Sequence, residues 1–163
     1  MEYKKGEEYA IRCLESNSYK VIDRRNDRRY WKRDIDLTVE RDGKRQDIEV
    51  KWDSIISNNG NFFIELVTDV EKDKPGWFNY TEADFIFYGD SKNKLFYVFR
   101  TDDMRKYLDS IDYQTRTSKE NRYDGSEKIS KGAIIPIEDY RKEYQIQVID
   151  IEERLGEKTA IAF

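Results

Sequence analysis

Asp36, Glu49 and Lys51 lie in the stretch DIDLTVERDGKRQDIEVKW, residues 34–52, around a central Asp42-Gly43. That dipeptide suits a two-residue hairpin loop, where both positions take positive φ. Residues equidistant from the turn then face each other, so Leu37 meets Ile48 and Ile35 meets Val50 on an apolar face. Alternation puts Asp34, Asp36, Thr38, Glu40, Arg45, Asp47, Glu49 and Lys51 on the other face. There Asp34 opposes Lys51 and Glu40 opposes Arg45, two complementary pairs. Asp36 opposes Glu49, and like charges across a ladder cost roughly 0.2–1 kcal/mol. A divalent cation between them reverses that sign, with Lys51 two residues along the same face. The alternative is a solvated face on which the two acids splay into water.

The rest of the composition narrows the chemistry. The chain has no histidine, which excludes Ser-His-Asp and Cys-His nucleophilic catalysis, His-ligated zinc and His general bases. Acid–base or metal chemistry must use Asp, Glu, Lys, Tyr or water, and oxygen ligands favour magnesium, manganese or calcium. With 163 residues the chain is expected to form one domain, 1–163, with a core over about 5–100. Aliphatic residues are sparse, but aromatics reach 14%, so an aromatic-rich core is expected. No apolar run approaches the length of a membrane span, and MEYKKGEEYAIR lacks a signal-peptide stretch. Cys13 is the single cysteine, so a reducing, cytoplasmic setting without membrane association is expected.

Charge is unevenly spread. Lys20, Arg24, Arg25, Arg28, Arg29, Lys32 and Arg33 stand against Asp23 and Asp27, a local +5 that leaves −9 for the rest of a chain at −4. Arginines running directly into an acidic hairpin suit a phosphodiester substrate, with Arg24, Arg25, Arg28, Arg29, Lys32 and Arg33 holding flanking phosphates. A solvated loop with local ion pairs is the competing reading.

These residues must be positioned by the elements around them. Tyr3, Glu7, Ala10 and Leu14 share one stripe of a helix over about 4–16, with Ile11 beside it. Glu7 is an acid on the face that should meet the core, while Glu8 lies toward the flank. A strand is expected over 19–23, hairpin strands over about 31–41 and 44–52, and further strands over 62–67, 83–88, 95–100 and 145–151. Thr101 with Asp102 and Asp103 opens a helix to about Ser110, and Pro136 opens a short one to Tyr144. Residues 112–131 lack periodicity and are expected to form a mobile or substrate-facing loop, where Tyr113, Arg116, Lys119, Arg122 and Tyr123 are either DNA contacts or solvated side chains. Glu65 can reach the hairpin pocket if Ile64 and Leu66 face away. Trp77, Phe78 and Tyr80 are either base-stacking platforms or core packing.

The order helix, strand, hairpin bearing Asp36 and Glu49-Val50-Lys51, then mixed α/β elements resembles the PD-(D/E)XK nuclease superfamily, the restriction-endonuclease-like fold. Gly6-Glu7-x-x-Ala10-x-x-x-Leu14 leading to Tyr19-Lys20-Val21 is similar to the first helix and strand of bacterial members related to Holliday junction resolvases. The likeness covers roughly residues 5–52, with weaker support to about 100. One departure is Ile35, where the family usually has proline before the metal-binding aspartate, and Asp34 is a competing assignment for that acid. Later positions carry nothing over securely to Lys74 or Trp77. The resemblance implies an α/β (α+β) fold, a central mixed β-sheet flanked by helices with an αβββαβ-type core. It implies a Mg²⁺- or Mn²⁺-dependent DNA endonuclease, in which Asp36, Glu49 and the Val50 carbonyl hold the ion. Lys51 would orient the attacking water or stabilise the phosphorane, and Glu7 would act through water. A homodimer is expected if two symmetric cuts are made. A catalytically silent module that binds nucleic acid or protein is the alternative, and an acidic interaction domain without a nucleic-acid partner is a third.

Overall fold

The computed structural model describes residues 2–154 and 161–163. Helix α1 (Glu2–Ser16) lays Ala10, Cys13 and Leu14 against the sheet and leaves Lys4, Lys5 and Glu8 in solvent. Tyr3, the first residue of the expected stripe, lies outside the residues whose side chains are described. Strands β1 (Lys20–Asp23), β2 (Leu37–Arg41) and β3 (Lys44–Asp53) form an antiparallel meander. β6 (Phe85–Asp90) then runs parallel to β3, and β7 (Leu95–Arg100) and β10 (Gln147–Asp150) complete a six-stranded mixed sheet in the order β1-β2-β3-β6-β7-β10. β6 has all six residues buried, as a central strand covered on both faces must.

The hairpin has the expected register, with Leu37 opposite Ile48 and Glu40 opposite Arg45. Asp42 and Gly43 take φ of 52° and 74°, the positive values that a two-residue loop needs. One expectation fails here. Ile35 does not join Val50, because a φ of 49° at Asp34 turns the chain and delivers Ile35 to the opposite core. The alternative, a solvated polar face, does not hold at Thr38 and Glu49, which are buried, though Arg45 on that face is exposed, and a second layer packs on this side of the sheet.

That layer is a four-stranded antiparallel sheet, β5-β4-β9-β8, made of β4 (Asn61–Asp69), β5 (Lys74–Pro75), β8 (Gln114–Asn121) and β9 (Glu127–Pro136). Residues 112–131, expected as a mobile loop, instead supply β8 and the start of β9. All eight residues of β8 are exposed, so no apolar alternation marks it in the sequence. Short helices α3 (Ile56–Asn59) and α4 (Trp77–Tyr80) flank β4, while α5 (Thr101–Ser110) and α6 (Ile137–Glu143) cover the same side. One core joins α1 to the main sheet through Leu14, Leu37, Ile48 and Phe87. The second joins the other face to the small sheet through Phe62, Tyr88, Phe99 and Tyr140. α2 (Arg28–Trp31) is capped by Asp27, whose side chain accepts from the Arg29 N–H.

Gly6 fixes how closely α1 approaches β3. A Cβ there would stand 2.6 Å from the Trp52 Cβ, so only glycine lets the indole lie against the helix and bring Glu7 over the meander.

Candidate functional site

Asp36 and Glu49 lie near each other, although the regular ladder ends one residue short of them. Asp36 precedes β2, and its N–H donates to the Ile48 carbonyl at 3.0 Å, one residue off the Leu37–Ile48 pairing. Its Oδ2 accepts from the Val50 N–H at 2.9 Å, which holds the carboxylate over the facing strand, close enough for its charge to act on Glu49. The left-handed turn at Asp34, a region that Asp tolerates better than most residues, brings its carboxyl to Glu49 as well. Lys51 Nζ lies 2.5 Å from Glu49 Oε1, 3.7 Å from Asp34 Oδ2 and 4.5 Å from the centroid of the Trp77 ring.

Three acids and one ammonium carry a formal −2 around a carboxylate that is 3% exposed. Burial pushes the Glu49 pKa well up; Lys51 opposes the shift, while Asp36 and Asp34 add to it. Burial also raises Asp34, against the pull of Lys51, and Asp36, against the Val50 N–H and Lys51. For Lys51 burial works against the charge, but Glu49 and Asp34 outweigh it and its pKa rises. Glu49 Oε2 and Asp34 Oδ2 are buried with no hydrogen-bond partner among the described residues. Unpaired buried acceptors are costly, and a hard cation is one way to satisfy them. Among the described residues no three acids form a ready-made cage. An ion that keeps most of its water, as magnesium does, needs only one or two carboxylates.

Glu7 stands beside this cluster rather than in it. Arg25 donates to its Oε2 at 2.7 Å and to Asp23 Oδ2 at 2.6 Å. Burial raises the Glu7 pKa, the Arg25 hydrogen bond opposes, and the Asp36 charge adds to the rise. The helix-borne acid therefore feels the hairpin acids across the α1 interface. Glu8 is exposed.

The basic cluster is largely spent within the fold. Arg24 lies over the Tyr30 ring at 4.2 Å and donates to Thr38, Arg29 pairs with its cap Asp27 at 2.8 Å, and Arg33 pairs with Glu82 and with Asp47. Arg28 and Lys32 are exposed and carry no ion pair among the described residues. In the β8–β9 region Arg122 is bound to Asp69 at 2.6 Å, and Lys119 faces Glu127 at 3.8 Å.

A cleft of about 330 Å³ opens where Lys51 meets the small sheet. Glu65 and Trp77 line it together with Lys51, so both join the neighbourhood of the hairpin; Phe78 is core, and Lys74 is exposed on β5. Asp36 and Glu49 do not line the cleft. Sequence reasoning missed Asp34 as a full member, although its place opposite Lys51 was the signal. Tyr80 was weighed as a stacking ring or as core packing; it is exposed, and its hydroxyl pKa is raised by burial and by the charge of Asp34. Tyr88 Oη donates to Asp53 Oδ2 at 2.7 Å, and nothing in the sequence marked that pair.

Comparison with family models, with curated proteins and with solved structures finds no match to this chain.

Proposed function

We propose that this chain is a metal-dependent DNA endonuclease with a PD-(D/E)XK-type centre, working in the cytoplasm on branched or other structured DNA. The observation that carries the reading is the burial of Glu49 beside Lys51, Asp34 and Asp36, where Glu49 Oε2 has no hydrogen-bond partner among the described residues. The order α1-β1-β2-β3 followed by the parallel β6 supports an αβββαβ-type, restriction-endonuclease-like core. Its crossover departs from that pattern in carrying β4 and four-residue helices in place of a long one.

Asp36 and Glu49 would hold Mg²⁺ or Mn²⁺, with the Val50 carbonyl as a further oxygen and Glu7 acting through water. When bound, such an ion acidifies water and neutralises charge on the phosphate. The chain's own residues supply the rest. Lys51, held protonated by Glu49 and Asp34, would stabilise the negative charge that develops on the phosphoryl oxygens. The Val50 N–H fixes the Asp36 carboxylate so that it need not reorganise during the reaction. Trp77 covers one side of the Lys51 ammonium and keeps bulk water from it. DNA would be held by Arg28 and Lys32, the members of the cluster without ion-pair partners among the described residues, and a homodimer would provide two sites for paired cuts.

The test is cleavage of linear, nicked, flapped and four-way DNA in Mg²⁺ or Mn²⁺. Asp36→Asn, Glu49→Gln and Lys51→Ala should each lower the rate by about a hundredfold or more, and EDTA should stop turnover. Near-wild-type cleavage by all three variants, or full activity in EDTA, overturns the reading. The second reading is a catalytically silent module. The 2.5 Å Lys51–Glu49 pair favours it, since it satisfies Glu49 Oε1 without any ion.

A further inference from the structure

The cleft beside Lys51 is lined by aromatic rings and by two cations, Lys51 and Arg116, with the carboxylates of Asp53, Glu65 and Glu120 also on its walls. Its floor is the small sheet. Gly132 on β9 lies opposite Arg116 on β8 and Glu65 on β4. A Cβ at Gly132 would fall 2.6 Å from the Phe63 ring, so the missing side chain is what lets that half-buried ring lie against the sheet. Ser130, two residues along the same face and 1% exposed, has an Oγ with no partner among the described residues. Arg116 is exposed on the wall and carries no ion pair among the described residues. The amides of Asn59 and Asn61 stand at the rim.

We propose that this cleft takes one unpaired nucleotide of a DNA strand, next to the centre at Lys51. The volume of about 330 Å³ suits one nucleotide and is too small for a base pair. Phe63 offers the base an apolar face, and stacking on such a ring needs no particular base. Ser130 Oγ and the two amides meet polar base edges, and an unfilled buried hydroxyl favours a ligand that supplies a hydrogen-bond partner. Arg116 is placed for the nucleotide's phosphate, as a planar guanidinium suits. Lys51 is common to the cleft and the acid cluster, so a base seated here puts its own phosphodiester at the reacting centre. The proposal rests on the nuclease reading for that last step but not for binding. Its consequence is selectivity: a duplex that already presents an unpaired base is not charged the cost of extruding one.

The experiment measures affinity in EDTA, by fluorescence anisotropy, for two duplexes that differ by a single unpaired 2-aminopurine, and then cleavage of both in Mg²⁺. The duplex with the unpaired base should bind about fivefold more tightly or better, the low end of what one stacked base contributes, and its 2-aminopurine emission should change on binding. Arg116→Glu and Phe63→Leu should each remove that preference; Arg116 is on an exposed strand, so its variant keeps the fold. Equal affinity for the two duplexes, or a preference retained in both variants, overturns the proposal. Preferential binding without cleavage supports the cleft while refuting the hydrolytic reading. Cleavage without preference does the reverse.

Discussion

Glu49 carries opposite demands at the scale of a single residue. Burial makes its charge expensive, yet a cation site needs that charge. The folded protein holds Glu49 well above the ordinary carboxylate value of 4.5 and holds Asp34 and Asp36 above theirs. Between the ordinary and the raised values the folded chain therefore binds more protons than the unfolded one. The stability these groups contribute is fully present below the ordinary carboxylate range and is lost as pH rises through the raised values. Asp23 and Asp27, held low mainly by hydrogen bonds from Arg25 and Arg29, act in the opposite sense. The difference between wild type and Glu49→Gln isolates the buried acid. In EDTA the wild-type Tm should fall relative to Glu49→Gln between about pH 4 and pH 8. Saturating Mg²⁺ should restore the wild type at pH 8 and leave the variant unmoved. Thermal melts over that range check it, and a constant difference across pH contradicts the account.

At the scale of elements, what the sequence made legible follows from which backbone choices have a local signature. The Asp42-Gly43 turn fixed the register of β2 and β3 from Leu37 opposite Ile48 onward, and the Asp36 side chain accepting from the Val50 N–H carries the acid the rest of the way to the facing strand. Thr101 with its two following acids marked α5, and the stripe through Ala10 and Leu14 marked α1. β8 had no such signature, because an edge strand with every side chain in solvent carries no alternation. Missing it hid the second sheet, and so the reason that the polar face of the hairpin is buried. Asp34 was half-legible: its partner Lys51 followed from the register, but the left-handed turn that adds it to the acid cluster did not. The seat of α1 is tested through Gly6, where any side chain meets the Trp52 indole. Gly6→Val should cost about 1–3 kcal/mol by overpacking, read from urea denaturation. It should also lower cleavage, because Glu7 moves with the helix; an unchanged midpoint would mean that α1 is not held by this contact.

At the scale of the whole molecule, the question is how a chain at −4 could hold a polyanion. Its overall field repels DNA, so attraction must come from a few local cations at short range. Ion pairing decides which ones. Arg24, Arg25, Arg29 and Arg33 face Asp27, Asp23, Glu7, Asp47 and Glu82, and bringing one to a phosphate means breaking a native pair. Arg28 and Lys32 have no such pair to break among the described residues. A contact to duplex phosphate appears in the salt dependence, each one steepening the slope of log K against log salt by about 0.9. The double variant Arg28→Ala, Lys32→Ala should therefore flatten the slope by about 2 and weaken binding to all duplexes alike. Arg25→Ala should leave the slope nearly as it is and lower the Tm instead, because it strips Glu7 and Asp23 of their shared partner. Titrations of DNA binding at several salt concentrations distinguish the two outcomes. A slope that flattens with Arg25→Ala and not with the double variant would mean that the native ion pairs open on DNA, and that the cluster binds as a unit.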